Sequence, residues 1–191
     1  MATPQVSVAP LKTEDASAVR QLLIAGLTER WGSYEASFNP DIEGFPGSYD
    51  DSFVLVAKQV GVVVGTGTLR QTGASRAEIV RMSAAASSRR TGIGSLILSH
   101  LLEFARERAV HEVCLETTSS WSSAIKFYAR HGFLKTHEHG DDSYFLFNPG
   151  EAYPSLEARP NIKTPGPRSW LAHFPPRGPG ILLSVPPQLE R

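Results

Sequence analysis

Along the chain, apolar residues alternate with polar ones over short stretches and recur at three- and four-residue spacing over longer ones. The first period predicts half-buried strands and the second amphipathic helices. Residues 5–9 read as a short strand. A helix follows, with Thr13 placed to cap it and Glu14 and Asp15 at its positive end; Val19, Leu22, Leu23 and Leu27 form one apolar face. Residues 28–52 mix Gly, Pro and aromatics without a steady period, which predicts a long loop holding one short helix. Phe53 to Lys58 and Val62 to Leu69 are β-rich runs joined by a turn at Gln59-Val60-Gly61. Gly65 and Gly67 inside the second run predict a bulge or a close backbone approach.

Glu78 to Ser83 is a third run and leads into a glycine-containing loop. Ser95 to Ala109 predicts a helix, with Ile97, Leu98, Leu101, Leu102, Ala105 and Ala109 at helical spacing. Glu112 to Glu116 reads as a strand and Ser122 to His131 as a helix. Phe133–Glu138 and Ser143–Asn148 read as a hairpin across Gly140-Asp141-Asp142. The order β-α-loop-β-β-β-α-β-α-β-β is a mixed α/β arrangement around one sheet. A strand that feeds a helix and then another strand predicts parallel neighbours in its middle.

Proline divides the chain. Ten of the fourteen prolines fall in residues 149–191, where no helical or alternating pattern persists. Residues 1–148 therefore read as the domain and 149–191 as a Pro-rich extended or disordered tail. Apolar islands at 170–174 and 181–185, and the polyproline-like spacing Pro176-Arg177-Gly178-Pro179, make that tail a candidate for binding a protein partner.

Composition narrows the function classes. Nineteen basic residues balance nineteen acidic ones, so no global field draws the chain to nucleic acid or to a membrane. One cysteine, Cys114, leaves no internal disulfide and no multi-cysteine metal site, and no metal is expected. Apolar runs fall short of the roughly 18 residues that span a bilayer, and the first residues lack a signal-peptide pattern. The expected location is the cytoplasm, and a homodimer is left open. His137 and His139 read as a solvated strand end and Cys114 as a core thiol.

Chemistry begins where the third central strand ends. Arg89-Arg90-Thr91-Gly92-Ile93-Gly94-Ser95 turns through two glycines into the long helix. Backbone N–H groups converge at such a turn, the helix dipole adds partial positive charge, and glycine lets a phosphate approach the main chain. Arg89 and Arg90 stand where they could bring full charges to its rim. No Lys follows Gly94, which excludes a P-loop, and Ile97 stands where a dinucleotide fingerprint needs a small residue.

A second motif lies one helix and one strand later: Ala124-Ile125-Lys126-Phe127-Tyr128, then Gly132-Phe133. Together, R-x-x-G-x-G and A-I-x-F-Y-x-x-x-G-F resemble the GNAT acetyltransferase superfamily over residues 53–148, and loosely over the first helix. The resemblance implies a mixed, mostly antiparallel central sheet with a parallel, splayed centre and flanking helices. It implies acetyl-CoA as co-substrate, with its pyrophosphate on Arg89, Arg90, Thr91, Gly92, Ile93, Gly94 and Ser95. Met82, Ser83 and Ala84 match the strand end that pairs with the pantetheine arm. Tyr128 matches the tyrosine that protonates the leaving thiolate, and Glu78 lies on the strand where members carry a glutamate base. Glu116 is a second base candidate. Trp121 stands where many members have Asn, and Ala84 replaces a larger aliphatic residue.

The resemblance makes the segment after the first helix one wall of the acceptor site. Residues 28–52 carry Glu29, Glu35, Asp41, Glu43, Asp50 and Asp51 against Arg30, with Trp31, Tyr34, Phe38, Phe45 and Tyr49. Those residues suit a cationic amine with an apolar or aromatic part. The expected function is acetyl transfer from acetyl-CoA to a primary amine of a small molecule or peptide. The alternative is a non-catalytic acyl-CoA-binding module that acts through its Pro-rich tail.

Overall fold

The computed structural model describes residues 5–150 and the backbone of Ile162 and Lys163. The apolar islands at 170–174 and 181–185 and the Pro176–Pro179 spacing lie outside the described residues. The described strands are β1 (Val6–Pro10), β2 (Ser52–Gln59), β3 (Val62–Gln71), β4 (Arg76–Ala84), β5 (Glu112–Thr118), β6 (Leu134–His139), β7 (Asp142–Phe147) and β8 (Ile162–Lys163). The helices are α1 (Ala16–Trp31), α2 (Pro40–Glu43), α3 (Ile93–Glu107) and α4 (Ser122–Arg130). The sheet order is β6-β7-β5-β4-β3-β2-β1-β8. β1 to β4 pair antiparallel with one another in succession, β4 and β5 are parallel, and β7 inserts antiparallel between β5 and β6. β8 pairs in parallel with Val6 and Ser7.

Each face of the sheet has its own core. On one, Ile97, Leu98, Leu101 and Ala105 of α3 pack with Tyr128 of α4 on Leu55, Leu69, Ile79, Val113, Leu115 and Phe145. On the other, Val19 and Leu23 of α1 meet Val56 and Ile42. Gly65 and Gly67 let α3 lie close on β3. A Cβ on Gly65 would come within 2.7 Å of Ile93 Cγ2, and one on Gly67 would strike Met82 Sδ and reach 2.8 Å from Ile97 Cγ2. Both expectations for these glycines hold, because the β3–β4 register also shifts between Thr66 and Thr68.

Two local expectations change. Thr13 does not cap the first helix; it opens a short 3-10 turn, Thr13–Asp15, and α1 starts at Ala16. Asp15 is instead held by Lys58 at 2.6 Å. The segment between α1 and β2 holds α2 and two 3-10 turns, Ala36–Phe38 and Gly47–Tyr49, rather than one short helix in a loop.

Candidate active site

β4 and β5 pair only at Arg76–Glu112, Ala77–Val113 and Glu78–Cys114. Beyond that point β5 stays bonded to β7 through Thr118, while β4 runs on to Ala84 along β3. The β4 edge from Ile79 to Ala84 thus has no strand partner among the described residues, and a gap opens in mid-sheet. A bulge accompanies the parting. Thr66 pairs with Ser83 and Thr68 with Val80, so Gly67 faces both Arg81 and Met82, and Arg81 takes a φ of 54°. An extra residue of this kind bends its strand and re-aims the backbone. Unpaired main-chain groups at such an edge are ready partners for an extended ligand.

The predicted phosphate loop lies at the end of this edge. Ala86–Ser88 forms a 3-10 turn, Arg90 has a φ of 63°, and Gly92, at 95°, is the N-cap of α3. Thr91 Oγ1 donates to Ser88 O at 2.6 Å and braces the turn. The first intrahelical bond runs from Leu96 N to Gly92 O at 2.9 Å. The N–H groups of Ile93, Gly94 and Ser95 precede it in the first turn, where a helix leaves its donors unused. A Cβ on Gly94 would sit 3.6 Å from the Phe127 ring, an ordinary contact, so the protein's own packing does not demand glycine there. Met82, Ser83, Ala84 and the whole Arg89–Ser95 run therefore gather at one end of the gap.

α1 crosses the same end. A Cβ on Gly26 would lie 2.8 Å from Ser83 Oγ, so this glycine, which sequence reasoning passed over, sets the helix on β4. The last turn of α1 then reaches the loop. Arg89 Nη1 and Nη2 donate to Glu29 Oε1 and Oε2 at 2.5 and 2.7 Å, and Arg89 Nε donates to Ala84 O at 3.3 Å. Arg30 lies 4.1 Å over the Trp121 ring, and Trp31 packs against Trp121 with centroids 5.2 Å apart. Trp121, at the N-cap of α4, thus joins that helix to the last turn of α1.

Tyr128 enters from the α3–α4 side. It is buried among Phe127, Phe133 and Phe145, with centroids at 5.1, 5.7 and 6.3 Å. Burial pushes its hydroxyl up to about 12, with the Arg30 charge acting in the opposite direction. Glu78 and Glu116 extend from the face that carries α1. Glu78 accepts from Arg70 Nη2 at 2.6 Å. The Glu116 carboxyl is held above the usual carboxylate range, chiefly by desolvation and then by the nearby charge of Glu78. Cys114 donates to Ala77 O at 3.5 Å, and burial pushes its thiol up.

The acidic segment does not present six free carboxylates. Asp41 is bound by Arg81, and Tyr49 also donates to it. Glu43 is bound by Arg20 at 2.7 Å and by Tyr34 Oη at 2.7 Å. Glu29 is bound by Arg89. Counting bases only inside 28–52 missed three arginines that tertiary folding brings to it. Among the described residues no three His, Cys, Asp or Glu side chains gather to hold a metal, and no helix is long and apolar enough to cross a membrane.

A family model described as the acetyltransferase (GNAT) family matches residues 17–133. An uncharacterized N-acetyltransferase, YedL, from Escherichia coli K12 is 29% identical over 105 residues, covering 54% of this chain and 64% of that one. A probable N-acetyltransferase, camello, from Xenopus tropicalis is 35% identical over 98 residues, covering 50% and 45%. The matched stretch is thus under two thirds of the length of either relative. A GNAT-family acetyltransferase structure from Staphylococcus aureus Mu50 superimposes with a TM-score of 0.68 at 16% identity, covering 75% of this chain and 99% of that one. The PaiA N-acetyltransferase of Thermoplasma acidophilum, solved in complex with coenzyme A, gives 0.66 at 18%, covering 78% and 99%. At these identities the structural likeness speaks for the fold.

Proposed function

The chain belongs to the acetyltransferase (GNAT) family, and on that premise we propose that it transfers an acetyl group from acetyl-CoA to a primary amine of a small molecule or peptide. The observation that carries this reading is the parting of β4 from β5 beyond Glu78 and Cys114, with a glycine turn and the start of α3 at its end. The residues present fit the co-substrate. Among the described residues, the side of Ile79–Ala84 that faces away from β3 has no strand partner, the first-turn N–H groups of α3 precede the first intrahelical bond, and a Cβ at Gly94 would make only an ordinary contact.

In this reading the N–H groups of Gly92, Ile93, Gly94 and Ser95 hold the diphosphate, with Arg89, Arg90 and Thr91 at its rim. The backbone of Met82, Ser83 and Ala84 aligns the pantetheine arm as an added strand would. Acetyl-CoA, when bound, supplies a thioester carbonyl open to an amine. An amine of pKa about 10.4 is neutral only about once in 2,500 molecules at pH 7, so a proton acceptor is needed. Glu78 and Glu116 supply one. Glu78 is held by Arg70 and Glu116 is bonded by Tyr144; of the two, Glu116 is the one raised, by desolvation and by Glu78, toward taking up the proton. Tyr128 keeps its proton at neutral pH and stands ready to give it to the departing thiolate. Arg30 is a positive charge that lowers the cost of the phenolate left behind.

The acceptor is still read as an amine with an apolar or aromatic part, because Trp31 and Phe38, at the end of α1 and in the segment after it, remain exposed. Thiol release from acetyl-CoA across an amine panel tests the reading. Turnover by the native chain, strongly reduced in Tyr128→Phe, is the expected result. Cofactor binding without acetylation of any amine would overturn it.

A further inference from the structure

Three arginine–carboxylate pairs tie the α1 region to the rest of the chain, and one differs from the others in kind. Arg81–Asp41 is half-buried, with side chains 25% and 29% exposed, and Asn39 Oδ1 and Tyr49 complete it. Arg20–Glu43 is supported by Tyr34 and by the Ile42 carbonyl. Arg89–Glu29 joins the phosphate loop itself to the last turn of α1, with side chains 39% and 51% exposed. Exposed pairs of this sort are weak. Glu29 is also poorly sited for its own helix, because a carboxylate in a C-terminal turn faces the negative end of the dipole. The guanidinium of Arg89 draws its carboxyl below the ordinary range.

The geometry of the pair copies what a diphosphate would offer. Two carboxylate oxygens lie on two nitrogens of one planar fork, while Nε stays anchored on Ala84 O. Such a fork accepts a carboxylate or a phosphate in the same bidentate way. We propose that Glu29 occupies Arg89 as an internal stand-in for the diphosphate, and that the two anions exchange on this guanidinium when coenzyme A binds. The proposal rests on the acetyl-CoA reading above and adds a regulator to its site. The incoming group carries more charge than Glu29 and gains the main-chain donors of α3 as well, so it wins the exchange. The cost of displacing Glu29 is a fixed charge against cofactor affinity.

Calorimetric titration with coenzyme A tests this on the full chain. Glu29→Gln is expected to bind coenzyme A about two- to fivefold more tightly than the native protein, the range an exposed pair can account for. Glu35→Gln removes an equal charge from the neighbouring segment without touching Arg89, and is expected to leave the affinity unchanged; Glu35 bonds Ser37 at 3.0 Å. Unchanged or weaker binding in Glu29→Gln overturns the exchange, and so does an equal gain in Glu35→Gln, which would make the effect one of bulk charge. A native chain that binds no coenzyme A sinks the acetyl-CoA reading and the exchange with it. Binding by the native chain with no gain in Glu29→Gln sinks the exchange alone.

Discussion

Arg81 and Asp41 are joined by two hydrogen bonds, Nε to Oδ2 at 2.8 Å and Nη2 to Oδ1 at 2.7 Å, across forty positions of sequence. Arg81 is the left-handed residue of the β4 bulge and Asp41 lies on α2. The pair therefore fastens the segment between α1 and β2 to the strand that borders the gap. Burial pushes the Asp41 carboxyl up, but the bonds from Arg81 and Tyr49 outweigh it and hold it below its ordinary range.

Breaking one partner leaves the other half-buried and unpaired. Asp41→Ala is expected to destabilise the chain by about 1–3 kcal/mol, read as a lower urea midpoint. The loss is expected to exceed that of Glu29→Gln, whose pair is exposed.

Tyr128→Phe keeps the packing against Phe127, Phe133 and Phe145 and removes only the hydroxyl. A fall in kcat of about 100-fold, with coenzyme A affinity unchanged, is expected in steady-state and calorimetric measurements. Equal kcat would make Tyr128 a packing residue.

Gly92→Asp places a carboxylate at the N-cap of α3, where the backbone stands at a φ of 95°. A Cβ at that angle is strained, and the backbone there is not the extended one from which an N-cap carboxylate bonds the helix, so the melting temperature is expected to fall by a few degrees and binding is compared well below it. Coenzyme A binding is expected to fall by about tenfold or more, because like charge now meets the diphosphate.

The acid limb of the kcat/KM profile reports the base. Glu116, raised by desolvation and by Glu78, must lose its proton to act, so activity rises with pH through an apparent value above 4.5. Glu116→Gln is expected to abolish that limb, while Glu78→Gln, which removes a neighbouring negative charge, is expected to move it to lower pH.

His100 is buried on α3, and burial holds it below its ordinary 6.5. The unfolded chain then takes up a proton first as the pH falls. Its contribution to stability is complete above about 6.5 and is lost as pH drops through that value toward the lower folded one. Urea midpoints at pH 7.5 and 5.5 are expected to differ less in His100→Gln than in the native chain.

Periodicity and turn residues located β1 to β7, α1, α3 and α4, most of which bury one face and so write a period into the sequence, but not α2 or the 3-10 turns beside it, which lie in a segment without a steady period. The glycine turn at 92–94 and the Phe127-Tyr128 motif were equally legible, since local backbone demands and a single helix end determine them. What stayed hidden was anything that depends on residues far apart meeting. Nothing local marks that Arg20, Arg81 and Arg89 neutralise Glu43, Asp41 and Glu29, that Gly26 seats α1 on Ser83, or that Trp121 faces Arg30 and Trp31. Charge and shape at the site are sums over neighbours, and only the tertiary structure says which neighbours those are.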